Sequence, residues 1–95
     1  MKQMHFTKIV STLGPASSSP ETIKALAQAG VNVFRLNFSH GSHETHRQNV
    51  AYIRQAEKEI GRPLAILCDM QGPKLRIGVF KDDYIELHIG DKFRL

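Results

Sequence analysis

The octapeptide VNVFRLNF, residues 31–38, is rich in β-branched and aromatic types, and from Phe34 to Phe38 it alternates apolar with polar side chains. Such a pattern predicts a β-strand. Because side chains point to opposite faces in turn along a strand, Arg35, Asn37 and the following Ser39 share one face. The other face is apolar, so we expect this strand to lie with one side against a core and to carry a polar group at its carboxyl end.

Two helical patterns flank this strand in the sequence. Ser19 before Pro20 is typical of a helix start, and Gly30 is expected to end that helix. Ser42 is expected to begin a second helix, which ends at Gly61. The apolar stripe predicted to face inward on the second helix comprises Val50, Ile53 and Ile60.

Two further strand patterns lie outside the helices, TKIVSTL at residues 7–13 and PLAILCDM at residues 63–70. The predicted order is therefore β-α-β-α-β, with one helix in each crossover. Crossovers of this kind join parallel strands through right-handed connections. The last strand is almost continuously apolar, which predicts that both of its faces are covered. The fold class is α/β.

The pattern changes after the tetrapeptide QGPK at residues 71–74. Residues 75–95 alternate apolar and polar side chains, show no helical period, and place turn-forming residues at Asp82–Asp83 and Gly90–Asp91. This indicates antiparallel hairpins. We therefore divide the chain into an α/β unit, residues 1–74, and the beginning of an antiparallel β domain, residues 75–95, whose final KFRL is expected to stop within a strand.

The composition is that of a globular protein, with 41% hydrophobic and 23% charged residues among 95. The net charge of +4 comes from scattered lysines and arginines without interleaved aromatics, which disfavours nucleic acid as a partner. No apolar run approaches the ~20 residues of a membrane span, and the N-terminus lacks a signal-peptide core, so we expect a cytoplasmic protein without a membrane partner. The single cysteine, Cys68, fits a reducing compartment and is expected to be a small buried hydrophobe.

Three histidines follow the central strand at intervals of three residues, namely His40, His43 and His46. The tetrapeptide HETH is one residue shorter than the H-E-x-x-H zinc motif, which places two imidazoles four residues apart on one helix face. Steps of three instead spread the rings over roughly 120°. A polar, solvated first helical turn is therefore favoured over a zinc site.

The polar residues at the strand ends offer a different chemistry. Arg35, Asn37 and Ser39 end the central strand, and Asp69 occupies the matching end of the last one. Ligands bind at this edge in open α/β sheets and in barrels. A guanidinium suits a phosphate, and the amide, hydroxyl and carboxylate oxygens suit a hard cation. The alternative, that these residues only cap the strand ends and pair with each other, is equally compatible with the spacing.

Three segments give a more specific indication, namely TKIVSTLGPAS at residues 7–17, GVNVFRLNFSHG at residues 30–41 and DMQGPKLRIG at residues 69–78. In sequence, order and spacing they resemble the pyruvate kinase family. The resemblance implies a (β/α)8 TIM barrel with its active site at the carboxyl ends of the strands, of which this chain is the N-terminal portion. In that family a small β domain is inserted after the third strand as a lid, and residues 75–95 coincide with its beginning.

The resemblance further implies a glycolytic phosphotransferase that moves the phosphoryl group of phosphoenolpyruvate to ADP, giving pyruvate and ATP, and that assembles as a homotetramer. Arg35 is then the catalytic residue of this stretch and binds the substrate phosphoryl group. The implied nucleotide-binding residues are Asn37, His40 and Arg76. The implied ligands of a monovalent cation, usually potassium, are Asn37, Ser39, Asp69 and the backbone carbonyl of Met70. The catalytic lysine and the acidic Mg²⁺ ligands of the family lie on later strands, outside these 95 residues.

Two positions depart from the family pattern. Met70 stands where threonine is common, which is tolerable for a contact made through main-chain oxygen. Lys74 stands where potassium-dependent members carry glutamate, and its ammonium supplies a positive charge that would repel a second cation. We therefore predict potassium independence, with Lys74 bound by Asn37, Ser39 and Asp69 in place of the ion. The class that competes with an enzyme is a freestanding βαβ module that binds a phosphate-bearing ligand without catalysis.

Overall fold

Three parallel strands and two α-helices form the framework of the protein, of which the computed structural model describes residues 5–94. The predicted order β-α-β-α-β is confirmed, and the strands lie side by side in chain order. Each helix connects two neighbouring parallel strands, as such crossovers require. The elements are β1 (Val10–Thr12), a 3₁₀ turn (Pro15–Ser17), α1 (Pro20–Ala29), β2 (Val33–Asn37), α2 (His43–Ile60) and β3 (Ala65–Asp69).

Both helices begin at the predicted capping residues. The Ser19 hydroxyl accepts a hydrogen bond from the Thr22 amide at 3.2 Å, and the Ser42 hydroxyl accepts one from the Thr45 amide at 3.1 Å. Gly61 ends α2 with a φ of 71°, a left-handed conformation that glycine adopts without steric cost. Within residues 5–94, neither helix combines the length and the apolar character needed to cross a bilayer.

The core lies between the two helices and one face of the sheet. Phe34 and Leu36 project from β2 on this face and are buried, as the alternation along the strand predicts. In the predicted stripe of α2, Ile53 is fully buried, whereas Val50 and Ile60 are partly buried at the margin of the cluster. The buried apolar residues are Leu13, Ile23, Ala27, Val31, Phe34, Leu36, Ile53, Ala56 and Leu64.

The opposite face of the sheet is open, and this corrects two expectations. Val10 of β1 and Leu67 of β3 are 54% and 45% exposed. The prediction that both faces of β3 are covered is therefore wrong, because Leu67 lies on the face of the sheet away from the helices. β3 also pairs with β2 alone among the described strands and so forms the edge of the sheet. Cys68 is exposed rather than buried. It shares the helix-side face with its register partner Leu36, but at the edge of the sheet.

An ion pair joins the two helices near their surface. Lys24 Nζ of α1 lies 3.1 Å from Glu59 Oε2 of α2. A hydrogen bond from Gln55, together with the Lys24 ammonium, lowers the pKa of the Glu59 carboxyl below its ordinary value. Exposed pairs of this kind add little to stability. The packing of Ile23 and Ile53 in the core therefore fixes the helices more firmly than this pair does.

Residues 70–94 contain no helix or strand. The two predicted turns are confirmed, since Asp83 has a φ of 69° and the Asp91 amide donates to the His88 carbonyl at 3.0 Å. The antiparallel hairpins predicted around them are not confirmed. The side chains of this segment are almost all exposed, and a hairpin without a packed apolar face is marginal in water. Leu95 of the predicted KFRL strand lies outside the described residues, and the domain boundary stays a prediction.

Candidate active site

Arg35 of β2 and Asp69 of β3 meet at the carboxyl ends of their strands. The Arg35 Nε donates a hydrogen bond to Asp69 Oδ2 at 3.1 Å, and its Nη2 donates to the same oxygen. The strand register pairs Asn37 with Asp69, so both side chains lie on the open face of the sheet, as does Arg35. The predicted convergence of these three residues at one edge of the sheet is confirmed.

Thr12, near the end of β1, belongs to the same group, and the sequence reasoning missed it. Its hydroxyl oxygen accepts a hydrogen bond from Arg35 Nη1 at 3.2 Å. Thr12 and Arg35 are partners in the parallel register, which puts their side chains on one face. The sequence does place Thr12 near the end of a predicted strand. Its alignment with Arg35, however, depends on the register between β1 and β2, which the sequence alone does not give. The guanidinium is thus held from both neighbouring strands.

The turn after β2 is held by its own residues and by β3. The side-chain oxygen of Asn37 accepts a hydrogen bond from the Ser39 amide at 3.0 Å. The Phe38 amide donates to the Asp69 carbonyl at 3.0 Å, and the His40 amide donates to the Asn37 carbonyl at 3.2 Å. The structure therefore brings Asn37 and Ser39 together within one turn, beside the end of β3.

The charged pair at the strand ends is accessible to a ligand. The side chains of Arg35 and Asp69 are 31% and 46% exposed. Both hydrogen bonds that Arg35 makes to the carboxylate go to Oδ2, which leaves Oδ1 for a cation. The oxygens of Asn37, Ser39 and Asp69 form a donor set that fits a hard cation. A guanidinium suits a phosphoryl group, so this edge can hold an anion and a cation side by side.

Three other predicted site residues, His40, Lys74 and Arg76, have exposed side chains. The side chain of Met70 is exposed as well, but its predicted contact is through its backbone carbonyl, which directly follows Asp69. Within residues 5–94, the Lys74 amide donates a hydrogen bond to the Gly72 carbonyl at 3.0 Å. The Asp69 carboxylate forms its ion pair with Arg35 and not with Lys74. The segment after β3 has no regular structure that would place its basic side chains over the strand ends.

A cavity of about 490 Å³ lies in the segment after β3. Its lining comprises residues 75–80 together with Phe93 and Arg94. It takes in Arg76, but the strand-end residue Arg35 and its neighbours do not contribute to it. Because its walls are mostly apolar and belong to a segment without helix or strand, the strand ends are the better candidate for the chemistry.

The three histidines do not share one environment. His46 is only 9% exposed, and its ring stacks on Phe38 with 4.3 Å between the ring centroids. The prediction of a solvated first helical turn is therefore wrong for His46, although His40 and His43 are exposed. Side chains in a helix lean toward its N-terminus, which carries the ring of His46 back over the turn after β2. Within residues 5–94, no three His, Cys, Asp or Glu side chains are grouped so as to hold a metal ion.

A parallel β-α-β-α-β unit that covers one sheet face with helices and gathers an arginine, an aspartate and oxygen donors at its strand ends is typical of α/β enzymes that bind ligands at that edge. The family model for the pyruvate kinase barrel domain matches residues 4–95. The chain belongs to the pyruvate kinase family, which confirms the family predicted from the three segments.

Curated relatives carry the same name. The chain is 50% identical over 91 residues to pyruvate kinase 2 of Synechocystis sp., which covers 94% of the chain and 15% of the relative. It is 46% identical over 94 residues to pyruvate kinase II of Salmonella typhimurium, covering 99% and 20%. It is 50% identical over 95 residues to the pyruvate kinase of Methylorubrum extorquens, covering 100% and 20%. The chain therefore spans between 15% and 20% of the length of these relatives.

Proposed function

We propose that this chain supplies one wall of the active site of a pyruvate kinase, which transfers the phosphoryl group of phosphoenolpyruvate to ADP and yields pyruvate and ATP. The observation that carries the proposal is the placement of Arg35 at the strand ends, with Thr12 on one side and Asp69 on the other. The match to the barrel domain and the names of the relatives support the reaction. The reaction is assigned to an enzyme in which further barrel strands complete the site.

Arg35 is the residue that we assign to the phosphoryl group. Phosphoryl transfer depends on positioning and on neutralisation of charge more than on covalent chemistry by the protein. The Nε and Nη2 of Arg35 are directed at Asp69 and the Nη1 at Thr12, which leaves a second hydrogen on each Nη for a ligand. Because the guanidinium is already oriented, less conformational freedom is lost when the phosphoryl group binds.

The oxygen donors beside Arg35 are assigned to a cation and to the nucleotide. A positive ion here would neutralise phosphoryl charge next to the guanidinium. The proposed cation ligands are Asn37, Ser39, Asp69 and the Met70 carbonyl, and the proposed nucleotide contacts are Asn37, His40 and Arg76. Mg²⁺ is assigned to acidic residues outside this stretch. A cytoplasmic location stays a prediction from the sequence, and a homotetrameric assembly stays a prediction from the family resemblance.

A chimeric enzyme tests the assignment. In it, residues 1–95 replace the aligned stretch of the Methylorubrum extorquens pyruvate kinase, to which they are 50% identical over 95 residues. We expect this chimera to form pyruvate from phosphoenolpyruvate and ADP with a kcat of the same order as that of the parent enzyme. An assay coupled to lactate dehydrogenase measures the rate, and circular dichroism with size-exclusion chromatography verifies folding. A folded chimera that forms no pyruvate would contradict the proposal.

The isolated chain is the control for this experiment. We expect it to form no pyruvate, because the catalytic lysine and the Mg²⁺ ligands are assigned to other strands. It should also self-associate through the open sheet face that carries Val10 and Leu67. Turnover by the 95-residue chain alone would show that the division of the chemistry between this stretch and the later strands is wrong.

Potassium independence gives a second test. We expect the kcat of the chimera to be unchanged when potassium is replaced by tetramethylammonium, because the Lys74 ammonium supplies the positive charge. Lys74→Glu should make the activity depend on potassium. In this structure Asp69 pairs with Arg35, so Lys74 reaches the oxygen donors only if the segment after β3 folds over the strand ends.

The matched control for this test is Lys81→Glu, which makes the same change of charge at another exposed position of the same segment. It should leave the enzyme indifferent to potassium. Loss of activity without potassium in the unsubstituted chimera would end the idea that Lys74 replaces the ion. A Lys74→Glu chimera that does not respond to potassium would end it as well.

A further inference from the structure

His46 occupies an unusual position for a residue in the first turn of an exposed helix. It is the fourth residue of α2, and its amide donates to the carbonyl of the capping residue Ser42 at 3.1 Å. The side chain nevertheless is buried, because it leans back over the turn that connects β2 to α2. None of the roles assigned above uses this imidazole.

The ring of His46 contacts three residues of that turn. Its Nε2 lies 2.7 Å from the carbonyl oxygen of His40 and must therefore carry the proton and donate it. The ring stacks on Phe38 with an angle of 28° between the planes. Gly41 passes so close that a Cβ there would lie 3.3 Å from Nε2, and its φ of +77° already favours glycine. The imidazole thus fills the space beneath residues 38–41.

The two ring nitrogens of His46 differ in their contacts, and only one of them gives histidine an advantage over an apolar side chain. His46 Nδ1 is buried and has no hydrogen-bond partner within residues 5–94. A buried polar atom without a partner is unfavourable. A phenylalanine would avoid it and still stack on Phe38. What the imidazole alone contributes is the hydrogen bond from Nε2 to the His40 carbonyl.

We propose that His46 is a positioning residue that fixes the turn carrying Ser39 and His40, and that it thereby sets the affinity for the nucleotide. The inference rests on the proposed function, in which residues of this turn contact the nucleotide and the cation. Arg35 precedes the turn on β2 and is held by Thr12 and Asp69 instead. His46 therefore acts on the nucleotide side of the site and not on the phosphoenolpyruvate side.

The chimera with His46→Phe separates these two sides. We expect the KM for ADP to rise about tenfold, by analogy with the roughly 10- to 100-fold loss caused by removing the hydrogen-bond partner behind a metal ligand. The KM for phosphoenolpyruvate should change less than about twofold, because Arg35 is held by other residues. His46→Gln should recover much of the lost affinity for ADP, since its amide can donate to the His40 carbonyl.

Two control variants separate positioning from general loss of stability. His43→Phe makes the same substitution at an exposed site in the same helical turn and should leave both KM values unchanged. Ile53→Ala removes a fully buried core side chain away from the turn and should lower the thermal midpoint without changing the ratio of the two KM values.

The KM values of the His46 variants distinguish the positioning role of His46 from the proposed function. An active chimera in which His46→Phe leaves the KM for ADP unchanged, or raises both KM values equally, would overturn the positioning role and leave the proposed function standing. If His46→Phe is insoluble, His46→Leu, which also removes the donor but is smaller, takes its place, and an unchanged KM for ADP or an equal rise in both KM values would overturn the role in the same way. A folded unsubstituted chimera without activity would overturn the proposed function and this inference together.

Discussion

Substitution of Arg35 by methionine in the chimera is expected to lower kcat/KM for phosphoenolpyruvate roughly 1,000-fold, the lower end of the effect of a transition-state arginine in phosphoryl transfer. Methionine keeps an unbranched side chain but removes the charge and every donor. Arg35→Lys should cause a smaller loss, because an ammonium restores the charge without the planar fork of N–H groups. Steady-state rates with phosphoenolpyruvate varied at saturating ADP measure both effects.

The loss of activity should occur with little loss of stability. The side chains of Arg35 and Asp69 are 31% and 46% exposed, and ion pairs at such exposure contribute only about 0–1 kcal/mol. Arg47→Met is the matched control, since Arg47 pairs with exposed Glu44 at 3.1 Å and lies outside the site. If the loss of activity were instead explained entirely by a lower thermal midpoint, Arg35 and Asp69 would serve only to pair with each other. That is the alternative that the spacing left open.

The order of the elements could be predicted because its signals are local. A serine before each helix and a glycine after it act on backbone groups within a few residues. The alternation in β2 likewise fixes which side chains share a face. The predicted strands were longer than those observed, and 31–38 became Val33–Asn37. The flanking residues have strand-like composition, but β2 ends at Asn37, where its pairing with β3 ends.

The site could be predicted in outline for the same reason. Alternation and parallel order together suffice to bring Arg35 and Asn37 to the same edge as Asp69. The contact of Thr12 with Arg35 could not be found in this way, because a shift of one residue between β1 and β2 would turn the hydroxyl to the other face.

The wrong predictions concern residues whose environment depends on contacts outside their own helix or strand. His46 and its neighbours looked like a polar helical turn, and only the path of the preceding turn decides that one imidazole is buried. Cys68 lies in an apolar run that predicted burial, yet it is exposed because β3 forms the edge of the sheet, although the side chain is on the helix-side face. The hairpins predicted after β3 had turn residues in the right places, but strands also need a partner surface to pack against.

Phe34→Ala is expected to destabilise the chimera strongly. The Phe34 side chain is 0% exposed and lies on the middle strand, where it packs with residues of both helices. Removal of a phenylalanine ring from such a site costs about 3–5 kcal/mol, a large part of the roughly 5–15 kcal/mol that stabilises a domain. The midpoint of unfolding in urea, followed by far-ultraviolet circular dichroism and by residual activity, should fall accordingly.

Phe6→Ala is the matched control, because it removes the same atoms from a fully exposed position and should leave the midpoint nearly unchanged. Equal effects of the two substitutions would mean that Phe34 does not face the helices. Alternation along β2 ties Arg35 to the face opposite Phe34, so the arginine would then have to leave the open face where Thr12 and Asp69 meet it. A measurement of stability at Phe34 therefore also tests where the proposed phosphoryl-binding residue points.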